Sequence, residues 1–275
     1  MYSFSNRVRY SEVNSEKELT LPSLLDYLQD CCTFESEDFG VGVDYLAKEQ
    51  VAWILSSWEI KVYRYPQMGQ HIKVSTWPYA FRGFYGYRNF RIEGEDGEKF
   101  AEANSVWVFM DTEKMRPARV SERMQEVYIP EIRDEIPGEW ADRKISLPDE
   151  AVQKIVRKEP VRVSRFYIDT NHHMNNGKYI LVAEEYLPEQ VFVCGLRAEY
   201  RKAAMLGDML YPVVTMEEKQ ITVTLADEKG APYAIICFQI QKKKGNHKMR
   251  LGEYQKLVVI KKGRIWRLSR RAHGG

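Results

Sequence analysis

Cysteine is scarce. The four in 275 residues, Cys31, Cys32, Cys194 and Cys237, have no paired metal-ligand spacing and are too few to staple a chain of this length. Neither a disulfide scaffold nor a bound metal is expected, and reduced thiols suit a cytoplasmic protein. Net charge is almost absent too: 41 Lys and Arg against 39 Asp and Glu leave a formal charge of +2. Nothing in that balance calls for nucleic acid or a membrane surface as partner. No apolar run is long enough to span a bilayer, and MYSFSNRVRYSEVNSEKEL at the start has no signal-peptide core. The sequence has no G-x-S-x-G, so a nucleophile-elbow serine is not indicated, and Gly83, Gly86, Gly94 and Gly97 form no phosphate-cradling pattern. What remains is 44% hydrophobic and 12% aromatic residues, enough to bury a sizeable core in one large domain or two ordinary ones.

His, Asn and Asp crowd together in one place, DTNHHMNNGKYILVAEEY, residues 169–186. Run as an extended segment, it turns Asp169, Asn171 and His173 to one face and Thr170 and His172 to the other, which makes His172 structural. Tyr179, Val182, Ala183, Tyr186 and Leu187 follow at helical spacing, so a helix is expected to begin near Asn175. Its free N-terminal amides would favour a negative oxygen beside an acid, an amide and an imidazole. Asn175 and Asn176 equally suit a helix cap. As a calcium loop the stretch lacks Gly at its sixth position and ends in Ile180, where a bidentate Glu is needed.

The order of elements repeats. Residues 7–30 read as strand, polar link and apolar helix (Leu21, Leu24, Leu25, Leu28), and VRVSRFYIDTNHHMNNGKYILVAEEY repeats that order with Val8 set on Val161 and Thr20 opposite His173. Strand-like runs follow each helix: 51–66, 70–80, 84–94 and 100–111 in the first half, 191–205, 209–230 and 232–244 in the second. Gly94-Glu-Asp-Gly97 reads as a hairpin turn. The expected class is α+β, two antiparallel sheets each wrapped around a long central helix. The expected divisions are 1–133, a linker 134–158 with a short helix possible over 149–158, 159–262, and a solvated basic tail 263–275.

Strand, loop, helix and antiparallel strands, duplicated in one chain with D-x-N-x-H-x-N-N-x-x-Y in the second copy, resemble the acyl-carrier-protein thioesterases, whose fold is a tandem hot dog. The resemblance covers about residues 4–260. It implies that Asp169, Asn171 and His173 are catalytic and that Asn175, Asn176 and Tyr179 complete the substrate-binding motif, with Met174 the one departure from D-x-N-x-H-V-N-N-x-x-Y. It also implies that the first half shapes the acyl-chain pocket, for which Leu24, Leu28 and Trp53, with Leu25 and Trp58, are candidates that equally suit plain core. Plant members carry E-Y-R-R-E-C, supplying a Glu and a Cys; here the segment is Glu199-Tyr-Arg-Lys-Ala-Ala204, with Ala203 and Ala204 in their places. Glu199, ~13 Å from position 203 on an extended strand, is expected at the strand surface.

Hydrolysis of a thioester needs an activated water and a site for the oxyanion, which an imidazole and helix-start amides can supply. The implied function is release of a fatty acid from acyl carrier protein, with no metal or organic cofactor, by a monomer or homodimer. The alternatives are an acyl-CoA thioesterase of the same fold and a catalytically weak acyl-binding protein. An acidic carrier would dock on a basic patch drawn from residues such as Arg82, Arg88, Arg91, Lys202, Lys242, Lys243 and Lys244.

Overall fold

The structure, a computed structural model, describes residues 1–149, 155–189 and 191–242; the basic tail 263–275 lies outside the described residues. In chain order the first half holds β1 (Tyr2–Arg7), a 3-10 turn (Tyr10–Glu12), α1 (Leu21–Asp38), α2 (Val43–Lys48), β2 (Val51–Val62), β3 (His71–Arg82), β4 (Tyr85–Gly94), β5 (Lys99–Asp111), β6 (Arg116–Pro117) and α3 (Glu122–Tyr128). The second holds β7 (Ile155–Arg157), β8 (Val161–Arg162), a 3-10 turn (Arg165–Tyr167), α4 (Asn176–Glu184), β9 (Val191–Tyr200), β10 (Met209–Met216), β11 (Gln220–Ala226) and β12 (Pro232–Lys242).

α1 starts where Thr20 accepts the Ser23 amide and Pro22 fills the first turn, and it buries Leu21, Leu24, Leu25, Leu28 and Cys31 on one stripe. Those residues pack on Trp58, Ile60, Phe90 and Ile92 of the sheet, in the same cluster as Tyr179, Ile180 and Ala183 of α4 and Val223, Ile236 and Phe238 beyond it. α4 has 9 residues against 18 in α1, shorter than the long central helix expected. It closes in short-range bonds, Tyr186 N–H to Ala183 O and Leu187 N–H to Glu184 O, just before Pro188, which cannot continue a helix.

The halves share one strand order, β1-β3-β4-β5-β2 and β8-β10-β11-β12-β9, with β7 a further neighbour of β10. The two expected sheets are joined through β2 and β9, which pair antiparallel from Ser57 opposite Glu199 to Lys61 opposite Gly195. The result is one continuous 12-stranded antiparallel sheet among the described residues. The hairpin at Gly94–Gly97 is present: Gly97, at φ 80, donates to Gly94 O.

Two further expectations change. The repeat register shifts by two residues, for Val8 falls on Val163. Each of these valines is buried, donates to the strand-start residue (Gln70 or Asp208) and accepts from the corner glycine (Gly69 or Gly207). The Val-Arg identity had drawn the alignment onto Val161, whose surroundings differ. The short helix over 149–158 gives way at Ile155–Arg157 to β7, where Ile and Val suit a ladder on β10; residues 150–154 lie outside the described residues.

The segment 134–145 is a strap across the sheet face opposite the helices. Ile136 N–H donates to Asn89 Oδ1, Ala141 N–H to Glu59 Oε2, Arg143 Nη1 to Ser56 Oγ, and Arg197 Nη2 to Asp142 O. Asn89 and Glu59 point to that side because their neighbours Phe90 and Ile60 point to the core.

At the end of α4, burial pushes the Glu184 carboxyl up to about 7, with Glu185 adding to the shift. A carboxyl raised by folding stays protonated in the folded chain while the unfolded chain ionises. Stability is therefore lost as pH rises from the ordinary value of 4.5 to about 7. Glu184→Gln removes that loss. Its stability advantage in urea unfolding should grow from near zero around pH 4 to about 1–3 kcal/mol near pH 8; a difference independent of pH would mean that water reaches the carboxylate.

Candidate active site

Asp169 to His173 is not extended. Asp169 Oδ1 accepts the Asn171 amide at 2.8 Å, Asp169 O accepts the His172 amide at 3.0 Å, and Asp169 N–H donates to His173 O at 3.0 Å. The chain closes a tight turn whose fourth residue, His172, sits at φ 63. The first half builds the same turn from Asn14 to Glu18: Asn14 Oδ1 accepts the Glu16 amide, Lys17 donates to Asn14 O, and Lys17 is at φ 64. An Asx acceptor and a residue tolerating positive φ are what the turn requires. The alternation expected for a strand fails because the side-chain acceptor of Asp169 competes for the backbone.

The turn nonetheless groups the expected residues. Asp169 Oδ1 lies 3.9 Å from His173 Nδ1, an ion-pair distance beyond hydrogen-bond range. Asp169 and Asn171 line a cavity of about 600 Å³, together with Asn175 and Asn176; the His173 ring stands outside that lining, beside Asp169. His172 is exposed. Asn175 caps α4, its Oδ1 accepting the Gly177 amide at 2.9 Å, and its carbonyl takes Lys178 N–H. Asn176 lines the cavity, and its N–H has no acceptor among the described residues. Tyr200 Oη donates to Asn176 O at 3.0 Å and ties that helix start to β9.

Tyr179 does not line the cavity. Its buried hydroxyl accepts the Ala204 amide at 2.8 Å, and burial pushes it up to about 12, so it stays a neutral phenol that anchors the loop after β9. Leu24 and Leu28 are core, at 0% and 1% exposure, and do not line the cavity; Leu25 and Trp58 are buried likewise. Trp53 does line it, its ring stacked across Gly86, where a Cβ would stand 3.0 Å from Trp53 Cζ3. Other cavity residues are Gln29 and Ser36 on α1, which no motif singles out, and Arg88 on β4, expected instead in a basic patch.

The cavity joins the two halves. α4 meets α1 at Gly177, where a Cβ would stand 3.2 Å from Gln29 Nε2 and 3.3 Å from Asp26 Oδ1. Glycine there lets the motif turn of one half open onto the helix of the other. The family model for the acyl-ACP thioesterase N-terminal domain matches residues 1–128, and that for the acyl-ACP thioesterase C-terminal domain matches residues 150–236. The chain belongs to the acyl-ACP thioesterase family.

It is 28% identical over 228 residues to the chloroplastic acyl-[acyl-carrier-protein] hydrolase FATB3 of Cuphea viscosissima, covering 78% of this chain and 54% of that protein. Identity to the chloroplastic oleoyl-acyl carrier protein thioesterase 2 of Arabidopsis thaliana is 25%, over 76% of this chain and 61% of that one. The chain spans about half the length of the curated relatives it matches. A crystal structure of an acyl-ACP thioesterase from Bacteroides thetaiotaomicron superposes with a TM-score of 0.77 at 20% identity, covering 87% of this chain and 97% of that one. The 12:0-ACP thioesterase of Umbellularia californica does so with the same score at 18%, over 88% and 97%. These two show the tandem hot-dog fold.

Against the pattern of plant acyl-ACP thioesterases, the departure at Ala203 and Ala204 has a structural context. β9 ends at Tyr200, so position 203 is on no strand. Ala203 is exposed, while Ala204 is buried and its carbonyl accepts the Met174 amide at 2.8 Å. Glu199 is not a strand-surface residue: it is 4% exposed, and its Oε2 accepts Ile145 N–H at 2.7 Å and Arg201 Nη2 at 3.0 Å. The strap covers the face that would otherwise be solvent. Removing the carboxylate strands the Ile145 amide, while Arg201 Nη2 keeps Ile145 O, so Glu199→Ala should cost about 1–3 kcal/mol of stability in chemical unfolding. A loss under about 0.5 kcal/mol would show the strap to be held without it.

Of the expected basic patch, Arg82, Lys202 and Lys242 are exposed, while Arg88 is withdrawn into the interior. Arg88 is buried and paired with Glu35, Arg91 pairs with Glu102 and Glu93, and Lys202 pairs with Asp227. The Arg82 guanidinium lies 5.5 Å from the Tyr87 ring, and Lys243 and Lys244 lie outside the described residues.

Proposed function

We propose that the protein hydrolyses the thioester of a fatty acyl chain borne on acyl carrier protein, releasing the free acid. The observation that carries this is the single cavity that runs from apolar first-half residues, Leu46, Trp53 and Phe81, to Asp169, Asn171 and Asn176. An acyl chain laid among the former presents its carbonyl to the latter. In this reading residues 1–133 shape the acyl pocket and 159–262 carry the chemistry.

In the proposed reaction, His173 takes a proton from water as the water oxygen attacks the thioester carbon, and Asp169 beside it steadies the imidazolium that forms. The negative oxygen of the tetrahedral intermediate is received by Asn176 N–H and the side-chain Nδ2 of Asn171. Collapse breaks the carbon–sulfur bond, and His173 returns the proton to the departing thiolate. The products are a carboxylic acid and the carrier thiol. No described helix is long and apolar enough to cross a membrane.

His173→Ala should lower kcat on acyl carrier substrate by ~10²–10⁴ with little change in KM, and Asn171→Ala by a smaller or equal factor. His172→Ala, on the exposed turn position, should change kcat less than about threefold. An enzyme of ordinary rate that survives His173→Ala would end this mechanism. The second reading, an acyl-binding protein of weak activity, is favoured by Ala203, where the family resemblance implies a carboxylate. Ala203→Glu distinguishes the two: if a carboxylate there is needed to hold the water, single-turnover hydrolysis should rise at least tenfold. An unchanged rate in an already active enzyme supports Asp169 in that part.

A further inference from the structure

Beside its apolar stripe α1 carries a polar one. Asp26, Gln29, Asp30 and Thr33 recur at the spacing that puts residues on one helical face. That face turns to the second half: a Cβ on Gly177 would stand 3.3 Å from Asp26 Oδ1 and 3.2 Å from Gln29 Nε2. Asp30 lies one turn beyond Asp26, about 6 Å along the axis at ~1.5 Å per residue. There it lines the cavity together with Asp169, Asn171, Asn175 and Asn176. Asp30 and Asn171 are both exposed, so solvent reaches this polar end.

Two carboxylates stand among the described lining residues, Asp30 and Asp169. Asp169 is engaged in its own turn, for its Oδ1 accepts the Asn171 amide at 2.8 Å and lies 3.9 Å from His173 Nδ1. The Asp30 carboxylate makes no hydrogen bond or ion pair among the described residues. Partial burial and the charge of Asp26 push its carboxyl above the ordinary value against the pull of Arg9, which strengthens it as an acceptor. Ala203, at the place where plant members carry their further carboxylate, is exposed and does not line the cavity.

Resting on the thioesterase reading above, we infer that Asp30 of the first half is a catalytic residue, whose carboxylate accepts one O–H of the attacking water and aims its oxygen at the thioester carbon. The other O–H gives its proton to His173 as the carbon–oxygen bond forms, and Asp30 keeps its charge throughout. Asp169 is left to steady the imidazolium. The chemistry of the second half is thereby completed by one residue from the first, and an unchanged rate in Ala203→Glu follows from Asp30.

The test compares wild type, Asp30→Ala and Asp30→Asn on a saturated acyl carrier protein thioester. Asp30→Ala should lower kcat by ~10² or more with KM changed less than about threefold. Formate should restore at least about tenfold of that loss by standing in for the missing carboxylate, and chloride at the same ionic strength should restore none. Hydroxylamine attacks a thioester without help from a base, so formation of the hydroxamic acid should fall less than about threefold in the same variant. Asp30→Asn keeps the shape and loses the charge; its kcat should drop at least about tenfold, and it decides the matter if Asp30→Ala fails to fold.

An active wild type whose kcat drops less than about threefold in both variants overturns the inference and leaves the thioesterase reading standing. A loss that falls equally on hydrolysis and on hydroxamate formation, with nothing restored by formate, overturns it too, since Asp30 would then only shape the site. A wild type that hydrolyses no acyl carrier thioester removes the thioesterase reading and this inference with it.

Discussion

The pairing of β2 with β9 is the constraint on which the rest depends. Five residue pairs, from Ser57 with Glu199 to Lys61 with Gly195, join two sheets of identical strand order into one. Once they are joined edge to edge, the helices of both halves must lie on the same face, and they meet where α4 starts. At Gly177 a Cβ would crowd Gln29 and Asp26 of α1. A fold that needs a partner edge for each half has that partner within the chain, and the pocket between the two helices follows from the same join.

Duplication explains the shape of the site better than its chemistry. The turns at Asn14–Glu18 and Asp169–His173 share their Asx acceptor, their hydrogen bonds and their positive-φ residue. The helix caps Thr20 and Asn175 also correspond, each accepting an amide of its first turn. The side chains differ at every position of the two turns, and the last places Glu18 in one half and, in the other, His173, whose imidazole the proposed reaction uses as its base. Geometry built for backbone reasons was therefore available twice, and the side chains made the halves unequal. α1 kept its full 18 residues and its apolar stripe, while Pro188 ended α4 early.

Two buried carboxylates show how the remaining polar groups are accommodated. Glu199 is taken from solvent by the strap and is answered by an amide and a guanidinium. Glu35 is answered by Arg88, and burial still holds its carboxyl above the ordinary range against the pull of that guanidinium. Each is costly to leave alone and tolerable in company, so each ties separate elements together: the strap to β9, and α1 to β4. The same need for a partner takes Arg88 out of any surface patch.

Local pattern by itself determined the strands, their hairpin at Gly94–Gly97, the apolar stripe of α1, the start of α4 and the duplication, because period and turn chemistry act over a few residues. The motif Asp169, Asn171, His173 was legible for the same reason, as residue types in a row. Only the tertiary structure decided the rest. Whether Glu199 faced solvent depended on a strap arriving from fifty residues away, and Leu24 and Leu28 were separated from Trp53 by which side of the packing each one met. The repeat register was set by hydrogen bonds at Gly69 and Gly207, not by the Val-Arg identity. Gln29, Ser36 and Arg88 became cavity residues because a sheet joined at β2 and β9 brings α1, β4 and the second-half turn around one space. Sequence spacing along a single element carries no record of that proximity.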